Sequence, residues 1–211
     1  KIPRCVLVLH NLFQVVLSMS IVIRLGTTVT QAGYTLSGNP NFRPQTLLPQ
    51  GGLYERQIMA WVRWFTLSKY YDLVDTLIIV LAKKSRQFSF LHCAHHCLVP
   101  MAVWYGMWYS PSGDSYVPCM ANSLVHAVMY SYYLCAALGT RCTWKKYLTE
   151  LQLAQFAFLF VYGLECMRLG TIAIQTTAVN SLVQLAMLIL FANFYTHTYI
   201  SESDAVVREK E

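Results

Sequence analysis

The chain has 211 residues, of which 55% are hydrophobic and only 12% are charged. About a quarter of the residues of an ordinary soluble domain are charged, so this composition and the mean hydropathy of +0.39 argue against that class. The formal net charge is +6. In a membrane protein such an excess reflects basic loops on one side of the bilayer, and it does not indicate a nucleic-acid partner.

Six apolar runs of about twenty residues follow one another, each long enough to cross the hydrocarbon core of a bilayer. They lie at about 5–26, 57–82, 89–109, 116–138, 147–167 and 175–199. Backbone groups in lipid must be bonded within the chain, so these runs are predicted to be helices. The predicted class is all-α, a polytopic transmembrane helical bundle with six spans that occupies residues 1–211 as one domain. Proline and glycine predict a long loop at about 28–56, and residues 110–114 predict a tight turn.

Lysine and arginine are distributed unevenly among the connections, which assigns the two sides of the membrane. One side collects Lys1, Arg4, Lys83, Lys84, Arg86, Arg141, Lys145, Lys146, Arg208 and Lys210. The other side has Arg24, Arg43, Arg56 and Arg168. The more basic side is predicted to be the cytosol, so both termini of the chain and the loops at 83–88 and 140–146 are placed there.

A cluster of histidines opens the third span, just after a cytosolic loop. His92, His95 and His96 fall within five residues, and at 100° per residue they point within an arc of about 100°. Ionisable groups in a membrane usually face a bundle interior or a wet cavity. Three imidazoles together favour a functional site over histidines that only satisfy neighbouring helices. Cys93 and Cys97 point away from this stripe, and a Cys–His nucleophile is kept as an alternative.

The second and fourth spans carry further polar groups. Lys69, Asp72 and Asp75 place one cation and two acids on adjoining turns, either as an internal ion pair that makes charge tolerable in lipid or as functional groups. Asp75 could also orient a histidine by binding one of its ring nitrogens. The fourth span carries a narrow helical stripe of Asn122, His126, Met129 and Tyr133, which Tyr130 and Tyr132 flank.

The last two spans bring amides and phenols to the same leaflet. Thr149, Gln152 and Gln155 recur every three residues, a pattern that hydrogen bonding between helices explains as well as substrate contact does. Tyr195 and Tyr199 close the sixth span. Polar residues of several spans therefore converge at one leaflet, which supports a site more strongly than any single motif does.

The HxxHH spacing leaves two chemistries open. Membrane di-iron desaturases and hydroxylases use such boxes, but their centres draw on more histidines than this chain has. His10 and His197 lie outside any box, so a di-iron site is short of ligands and no metal site is predicted. The other interpretation is acid–base or nucleophilic catalysis by imidazole. A metal-dependent desaturase or hydroxylase and a non-catalytic transporter stay as alternatives.

The motifs together resemble the ELO family of very-long-chain fatty acid elongases, over nearly the whole chain and in order. The resemblance rests on Lys69, Asp72, Asp75 and Thr76, on His92, His95 and His96, on Asn122, His126, Met129, Tyr130, Tyr132 and Tyr133, on Thr149, Gln152 and Gln155, and on Phe194, Tyr195 and Tyr199. Asp72 stands where the family usually has glutamate, which preserves the charge but shortens its reach. The family typically has seven spans, and the run with Asn11, Gln14 and Ser18 resembles its second span, so we expect the first to lie upstream of Lys1.

The resemblance implies a 3-oxoacyl-CoA synthase of the endoplasmic reticulum membrane. Malonyl-CoA would condense with a long-chain acyl-CoA and release carbon dioxide and free CoA. By motif position His95 would carry the acyl group on an imidazole nitrogen, and His126 would assist decarboxylation or stabilise the enolate. His92 and His96 would orient the cluster, with Asp75 as a partner.

The resemblance also implies what the site binds. Expected substrate contacts are Lys69, Asp72, Asn122, Tyr130, Tyr133, Gln152, Gln155, Tyr195 and Tyr199. Lys69 and the basic loops would help to hold the CoA phosphates. No cofactor is implied, and the expected partners are acyl-CoA, malonyl-CoA, the bilayer and the other enzymes of the elongation cycle, with a homo-oligomer left open.

Overall fold

The computed structural model describes residues 2–33, 52–85, 87–109 and 115–200. These residues form seven α-helices and a closing π-helical segment, and no strand occurs among them. The helices are α1 (Arg4–Gln31), α2 (Leu53–Tyr71), α3 (Leu73–Leu81), α4 (Phe90–Tyr109), α5 (Tyr116–Leu138), α6 (Lys145–Leu169) and α7 (Ile174–Tyr195), followed by the π-helical residues Thr196–Ile200. The predicted all-α class is confirmed.

Five of the six predicted spans each correspond to one α-helix. The prediction of a single helix over 57–82 is wrong, because the helix is interrupted at Asp72 and continues as α3. There the amide of Asp75 donates to the carbonyl of Asp72 at 3.0 Å, an i to i+3 bond that tightens the turn and brings the two side chains onto one side. Most of the predicted loop at 28–56, namely residues 34–51, and the predicted turn at 110–114 lie outside the described residues.

Glycine and proline shape the helices at the points where the sequence places them. Gly139 and Gly170 follow α5 and α6 with φ of 85° and 65°, the left-handed conformation that commonly ends a helix. Pro100 lies inside α4. A proline has no amide hydrogen, so the carbonyl of His96, four residues earlier, loses its helical partner. The helix is therefore weakened directly after the histidine cluster.

Helix α1 presents apolar side chains outward and polar side chains inward, the reverse of a helix in a soluble protein. Its outer face includes Leu9, Phe13, Val16 and Ile23, each about half exposed or more. The buried residues of its first half are His10, Asn11, Gln14 and Ser18. Large exposed apolar surfaces of this kind mark contact with a membrane or a partner.

Two stretches are long and apolar enough, by length and composition, to cross a bilayer. They are Arg4–Gln31 and Ile174–Ile200, the latter being α7 with its π-helical extension. Both leave most of their surface exposed, as expected of helices that face lipid. The count of six spans stays a prediction from the sequence.

The helices contact one another in a closed cycle. Helix α1 packs on α2, α2 on α4, α4 on α7, α7 on α6, α6 on α5, and α5 returns to α1. At one end of the bundle Arg4 donates to the carbonyl of Ala137, so α1 begins where α5 ends. The apolar core of α1, α2 and α5 lies towards the other end, around Ile21, Leu25, Val29, Ile58, Val62 and Phe65. The polar residues of the same helices are thereby gathered near the end at which Arg4 lies.

Candidate active site

A buried lysine lies at the centre of the polar cluster between α2 and α5. Lys69 is 3% exposed, and its ammonium lies 2.8 Å from Asp72 Oδ2. It donates to Asn122 Oδ1 at 2.9 Å and lies 3.4 Å from His126 Nδ1. A buried charge of this kind is tolerated only when it is paired and its other donors are satisfied. The ammonium of Lys69 is therefore buried between Asp72, Asn122 and His126 and is not on the exposed surface of the bundle.

A glutamine of α1 joins this cluster to a second carboxylate. Gln14 Nε2 donates to Asp72 Oδ1 at 2.7 Å and to the hydroxyl of Tyr130 at 3.0 Å. Tyr130 donates in turn to Asp75 Oδ2, and Asp75 Oδ1 accepts a bond of 2.7 Å from His10 Nε2. One continuous hydrogen-bond network therefore connects α1, the α2–α3 junction and α5.

The histidines of α4 form a separate group beside this network. His92 Nε2 lies 2.9 Å from the hydroxyl of Thr76, the residue after Asp75. The His92 and His96 rings are 4.1 Å apart between centroids, and those of His95 and His96 are 5.2 Å apart. His95 also approaches the ring of Phe191 on α7 at 6.5 Å. Among the described residues no side chain bonds to His95, and the buried Nδ1 of His96 has no hydrogen-bond partner.

The three predicted polar residues of α6 have different surroundings. Thr149 bonds within its own helix, to the carbonyl of Lys145 at 3.4 Å. Gln152 donates to the sulfur of Met129 on α5 at 3.6 Å. Gln155 is buried, and its Oε1 has no hydrogen-bond partner among the described residues. Of the three, Gln155 is the one whose buried amide oxygen lacks a hydrogen-bond partner among the described residues.

The predicted phenols lie near the end of α7 and on α5. Tyr195 donates to Glu150 Oε1 at 2.7 Å, and the ammonium of Lys146 lies 5.8 Å from the centre of its ring. The hydroxyl of Tyr199 is buried without a hydrogen-bond partner among the described residues. Tyr133 is 42% exposed. The ring of Tyr133 lies 6.0 Å from that of Tyr130, and all three phenols lie outside the hydrogen-bond network of the polar cluster.

The structure thus brings most of the predicted site residues together in two adjoining groups, whereas Tyr133, Gln152, Gln155, Tyr195 and Tyr199 belong to neither. The first group is the hydrogen-bonded network of Lys69, Asp72, Asp75, Asn122, His126 and Tyr130. The second group is the stacked imidazoles of His92, His95 and His96. The two groups meet at α3, where Asp75 belongs to the first and Thr76 bonds to the second.

Two members of the network, His10 and Gln14, are not among the site residues that the sequence predicts. His10 lies in no histidine box. The expected partner of Asp75 was a histidine of α4, whereas Asp75 bonds to His10 and Thr76 bonds to His92. A signal was present in α1, because His10, Gln14 and Ser18 recur every four residues in an apolar run and so share one helix face.

The arrangement can support chemistry on an imidazole. His95 and His96 have ring nitrogens that no described side chain occupies, and such a nitrogen offers its lone pair to an electrophile. His126 lies beside a cation that can favour negative charge developing nearby. Within the described residues no group of three or more His, Cys, Asp or Glu side chains is arranged to hold a metal ion.

The chain is similar to known proteins along most of its length. The model of the ELO family, described as the GNS1/SUR4 family, matches residues 3–206. A very long chain fatty acid elongase of Aedes aegypti is 36% identical over 166 residues, which are 77% of this chain and 45% of that protein. Very long chain fatty acid elongase 1 of Mus musculus is 32% identical over 201 residues, which are 92% of this chain and 70% of that protein. Very long chain fatty acid elongase 5 of Tachysurus fulvidraco is 31% identical over 216 residues, which are 98% of this chain and 69% of that protein. The chain therefore spans between 45% and 70% of the length of these relatives.

Proposed function

The chain belongs to the GNS1/SUR4 family, and we propose that it carries out the condensing step of very-long-chain fatty acid elongation. In this reaction a long-chain acyl-CoA and malonyl-CoA give 3-oxoacyl-CoA, carbon dioxide and free CoA. Three relatives that bear the name of such elongases, at 31–36% identity, support the assignment.

The observation that carries the proposal is the group of three imidazoles on α4 beside the network that contains the Lys69–Asp72 ion pair. His92 is bonded to Thr76, which leaves His95 and His96 as the imidazoles without a side-chain hydrogen bond in the described part of the chain. His95 also faces α7 at Phe191. An uncharged imidazole nitrogen is a competent nucleophile towards a thioester, so His95 is the proposed acyl carrier.

The proposed reaction has two half-reactions. First, a ring nitrogen of His95 attacks the acyl-CoA carbonyl, the carbon–sulfur bond breaks, and CoA leaves as the thiol with the imidazole proton. Second, malonyl-CoA loses carbon dioxide, and the resulting enolate attacks the acyl-imidazole carbonyl. The carbon–nitrogen bond breaks, and the departing imidazole nitrogen takes up a proton from water, which regenerates neutral His95. An apolar bundle protects the acyl-imidazole from water.

His126 is proposed to act in the second half-reaction. Its Nδ1 lies 3.4 Å from the Lys69 ammonium and 3.7 Å from Asp72 Oδ2, so the ion pair of these two residues holds this edge of the ring. A preorganised group beside a cation stabilises an enolate better than a mobile one does. The network of α1, α2 and α5 would thus hold His126 while the imidazoles of α4 accept the acyl group.

Location and partners belong to the same proposal. The exposed lysines at 83–84 follow α3, and those at 145–146 are the first residues of α6, at the bundle end where Arg4 meets α5. A basic end of this kind favours the cytosolic side, where CoA thioesters would enter. We place the chain in the endoplasmic reticulum membrane with both of its termini cytosolic, without a cofactor, and alongside the other enzymes of the elongation cycle.

The decisive experiment uses the purified chain in detergent or lipid nanodiscs, with radiolabelled malonyl-CoA and a saturated long-chain acyl-CoA. We expect a labelled 3-oxoacyl-CoA from the wild type and a loss of at least about a hundredfold for His95→Ala. The matched control is Cys97→Ala, an exposed side chain two residues further along α4. Incubation with acyl-CoA alone should give an acyl adduct on His95 in the mass spectrum of the wild type.

Three results would contradict the proposal in different ways. Full activity of His95→Ala would remove His95 as the acyl carrier, and an adduct on Cys93 or Cys97 would point to a thiol nucleophile. Stoichiometric bound iron with oxygen-dependent turnover would favour the desaturase or hydroxylase alternative. Binding or flux of a lipid without any product from malonyl-CoA would favour the transporter alternative.

A further inference from the structure

His10 is a buried histidine of α1 that belongs to none of the sequence motifs. It is 7% exposed, and both of its ring nitrogens have partners. Nε2 lies 2.7 Å from Asp75 Oδ1, and Nδ1 lies 3.3 Å from the hydroxyl of Tyr71. The His10 and Tyr71 rings are stacked, with centroids 5.6 Å apart and planes inclined by 26°. The ring is therefore fixed in both position and orientation.

These partners define the proton positions. Asp75 has only acceptor atoms when it is ionised, so the proton of a neutral His10 ring lies on Nε2 and points to Oδ1. Nδ1 then accepts from the hydroxyl of Tyr71. The second oxygen of Asp75 accepts from Tyr130. Asp75 is thus held between a histidine of α1 and a tyrosine of α5, with each carboxylate oxygen bonded to one of them.

Tyr130 connects Asp75 to His126, the residue proposed to act on the enolate. It is fully buried, and its hydroxyl also accepts from Gln14 Nε2 at 3.0 Å. Its ring lies 5.7 Å from the ring of His126, inclined by 59°. A shift of the Tyr130 hydroxyl would tilt the ring that forms one wall beside His126. The sequence of contacts therefore runs from His10 through Asp75 and Tyr130 to His126.

We propose that His10 is a positioning residue for the condensation, which holds Asp75 and Tyr130 so that His126 keeps its catalytic orientation. The inference rests on the proposed function for its readout, and it concerns a residue that does not touch the substrate. A histidine that only satisfied a buried carboxylate would affect folding but not the catalytic rate of the folded enzyme. Misplacement of a catalytic group by an ångström is enough to lower the rate.

The test compares two substitutions of the same residue. His10→Leu removes the donor to Asp75, whereas His10→Gln retains an amide N–H for Asp75 and an amide oxygen for Tyr71. We expect His10→Leu to lower kcat of condensation about tenfold with KM for acyl-CoA unchanged, because a hydrogen bond to a charged group is lost. We expect His10→Gln to recover most of that loss. His197→Ala, an exposed histidine of the π-helical segment, should match the wild type.

A double-mutant cycle tests whether His10 acts on His126 through Tyr130. If His10 acts through Tyr130, the loss of kcat from His10→Leu should be small in a Tyr130→Phe background, because residues in one network are not additive. Fully additive losses, an unchanged kcat of His10→Leu, or a failure of His10→Gln to recover activity would each overturn the proposal. Should His10→Leu not fold, Tyr71→Phe, which removes only the partner of Nδ1, gives the same test with an expected drop of about threefold in kcat.

The two proposals fail separately. A wild type without any condensing activity would refute the proposed function. In that case the same cycle, measured by thermal unfolding, still tests whether His10 and Tyr130 are coupled through Asp75. Independence of the two substitutions in that measurement would refute the network on which the inference rests, whatever reaction the chain catalyses.

Discussion

The two sides of the bundle differ in how their buried polar groups are satisfied. On the side of α1, α2, α3 and α5, the polar groups bond to one another, as in His10, Gln14, Lys69, Asp72, Asp75, Asn122 and Tyr130. Asp72 Oδ2 has no hydrogen bond there, but it forms the ion pair with the Lys69 ammonium at 2.8 Å. On the side of α4, α6 and α7, several buried polar atoms have no hydrogen-bond partner among the described residues. They include His96 Nδ1, Gln155 Oε1 and Gln184 Oε1. We call the part of the bundle formed by α1, α2, α3 and α5 the paired side. The part formed by α4, α6 and α7 is the open side.

The paired side and the open side are suited to different tasks. Buried polar groups in folded proteins are nearly always hydrogen-bonded, so groups without an internal partner need water or a substrate. A fully bonded network is rigid and specifies one arrangement. The paired side is therefore suited to hold His126 in place, and the open side is suited to receive the polar part of a substrate next to His95.

The largest effect should come from breaking the ion pair of the paired side. Lys69→Met leaves the Asp72 carboxylate buried without its cation, and we expect unfolding free energy to fall by about 3–5 kcal/mol. Thermal unfolding in detergent measures this. The control is Arg168→Gln, which removes the cation of the exposed ion pair with Glu165 and should leave the thermal midpoint unchanged.

The same pair provides its own check. In the double variant Lys69→Met with Asp72→Leu no charge remains buried, so most of the loss should be recovered. A Lys69→Met protein as stable as the wild type would mean that Asp72 is already neutral or solvated. That result would show that the paired side does not depend on the ion pair of Lys69 and Asp72, which would refute the distinction between the two sides.

Two buried glutamines allow the sides to be compared with the same substitution. Gln14 bonds to Asp72 and Tyr130, whereas Gln155 Oε1 has no partner among the described residues. We expect Gln14→Leu to reduce stability by about 1.5–3 kcal/mol, because a hydrogen bond to a charged group is lost. Gln155→Leu should change stability by less than about 1 kcal/mol, since little bonding is lost.

For substrate binding we expect Gln155→Leu to have the larger effect of the two substitutions. Gln155→Leu should raise KM for the CoA substrates, because the group proposed to contact them is gone. Thermal unfolding and initial rates on the same two preparations provide both measurements. Equal losses of stability for the two variants would show that Gln155 has a structural partner, and the open side would then be smaller than described.

Much of the fold could be predicted from the sequence because membrane helices follow from simple rules. Long apolar runs and the need to satisfy the backbone predict helices, and all six runs are helical. The interruption at Asp72 could not be predicted, because it depends on an i to i+3 turn whose carboxylate bonds to Gln14 on another helix. The helix propensity of the residues around Asp72 cannot predict a contact with another helix.

The site was predictable where polar residues repeat within one helix, and less so where partners lie on different helices. The spacing of His92, His95 and His96 predicted a common face, and their rings are in contact. The partner of Asp75 was predicted among these histidines, whereas it is His10, a residue 65 positions away. A single histidine in an apolar run has no periodicity to reveal it, so only the packing of α1 on its neighbours identifies its role.

The smallest effect is expected for Gln152, which lies at the border of the two sides. Its amide donates only to the sulfur of Met129, a weak acceptor, and its oxygen accepts no bond from another described residue. Gln152→Leu should therefore change unfolding free energy by less than about 1 kcal/mol. If Gln152 also contacts substrate, KM for acyl-CoA should rise roughly two- to tenfold, the equivalent of one neutral hydrogen bond. Unchanged KM with a measurable loss of stability would assign Gln152 to the paired side as a helix contact, and the open side would then begin at Gln155.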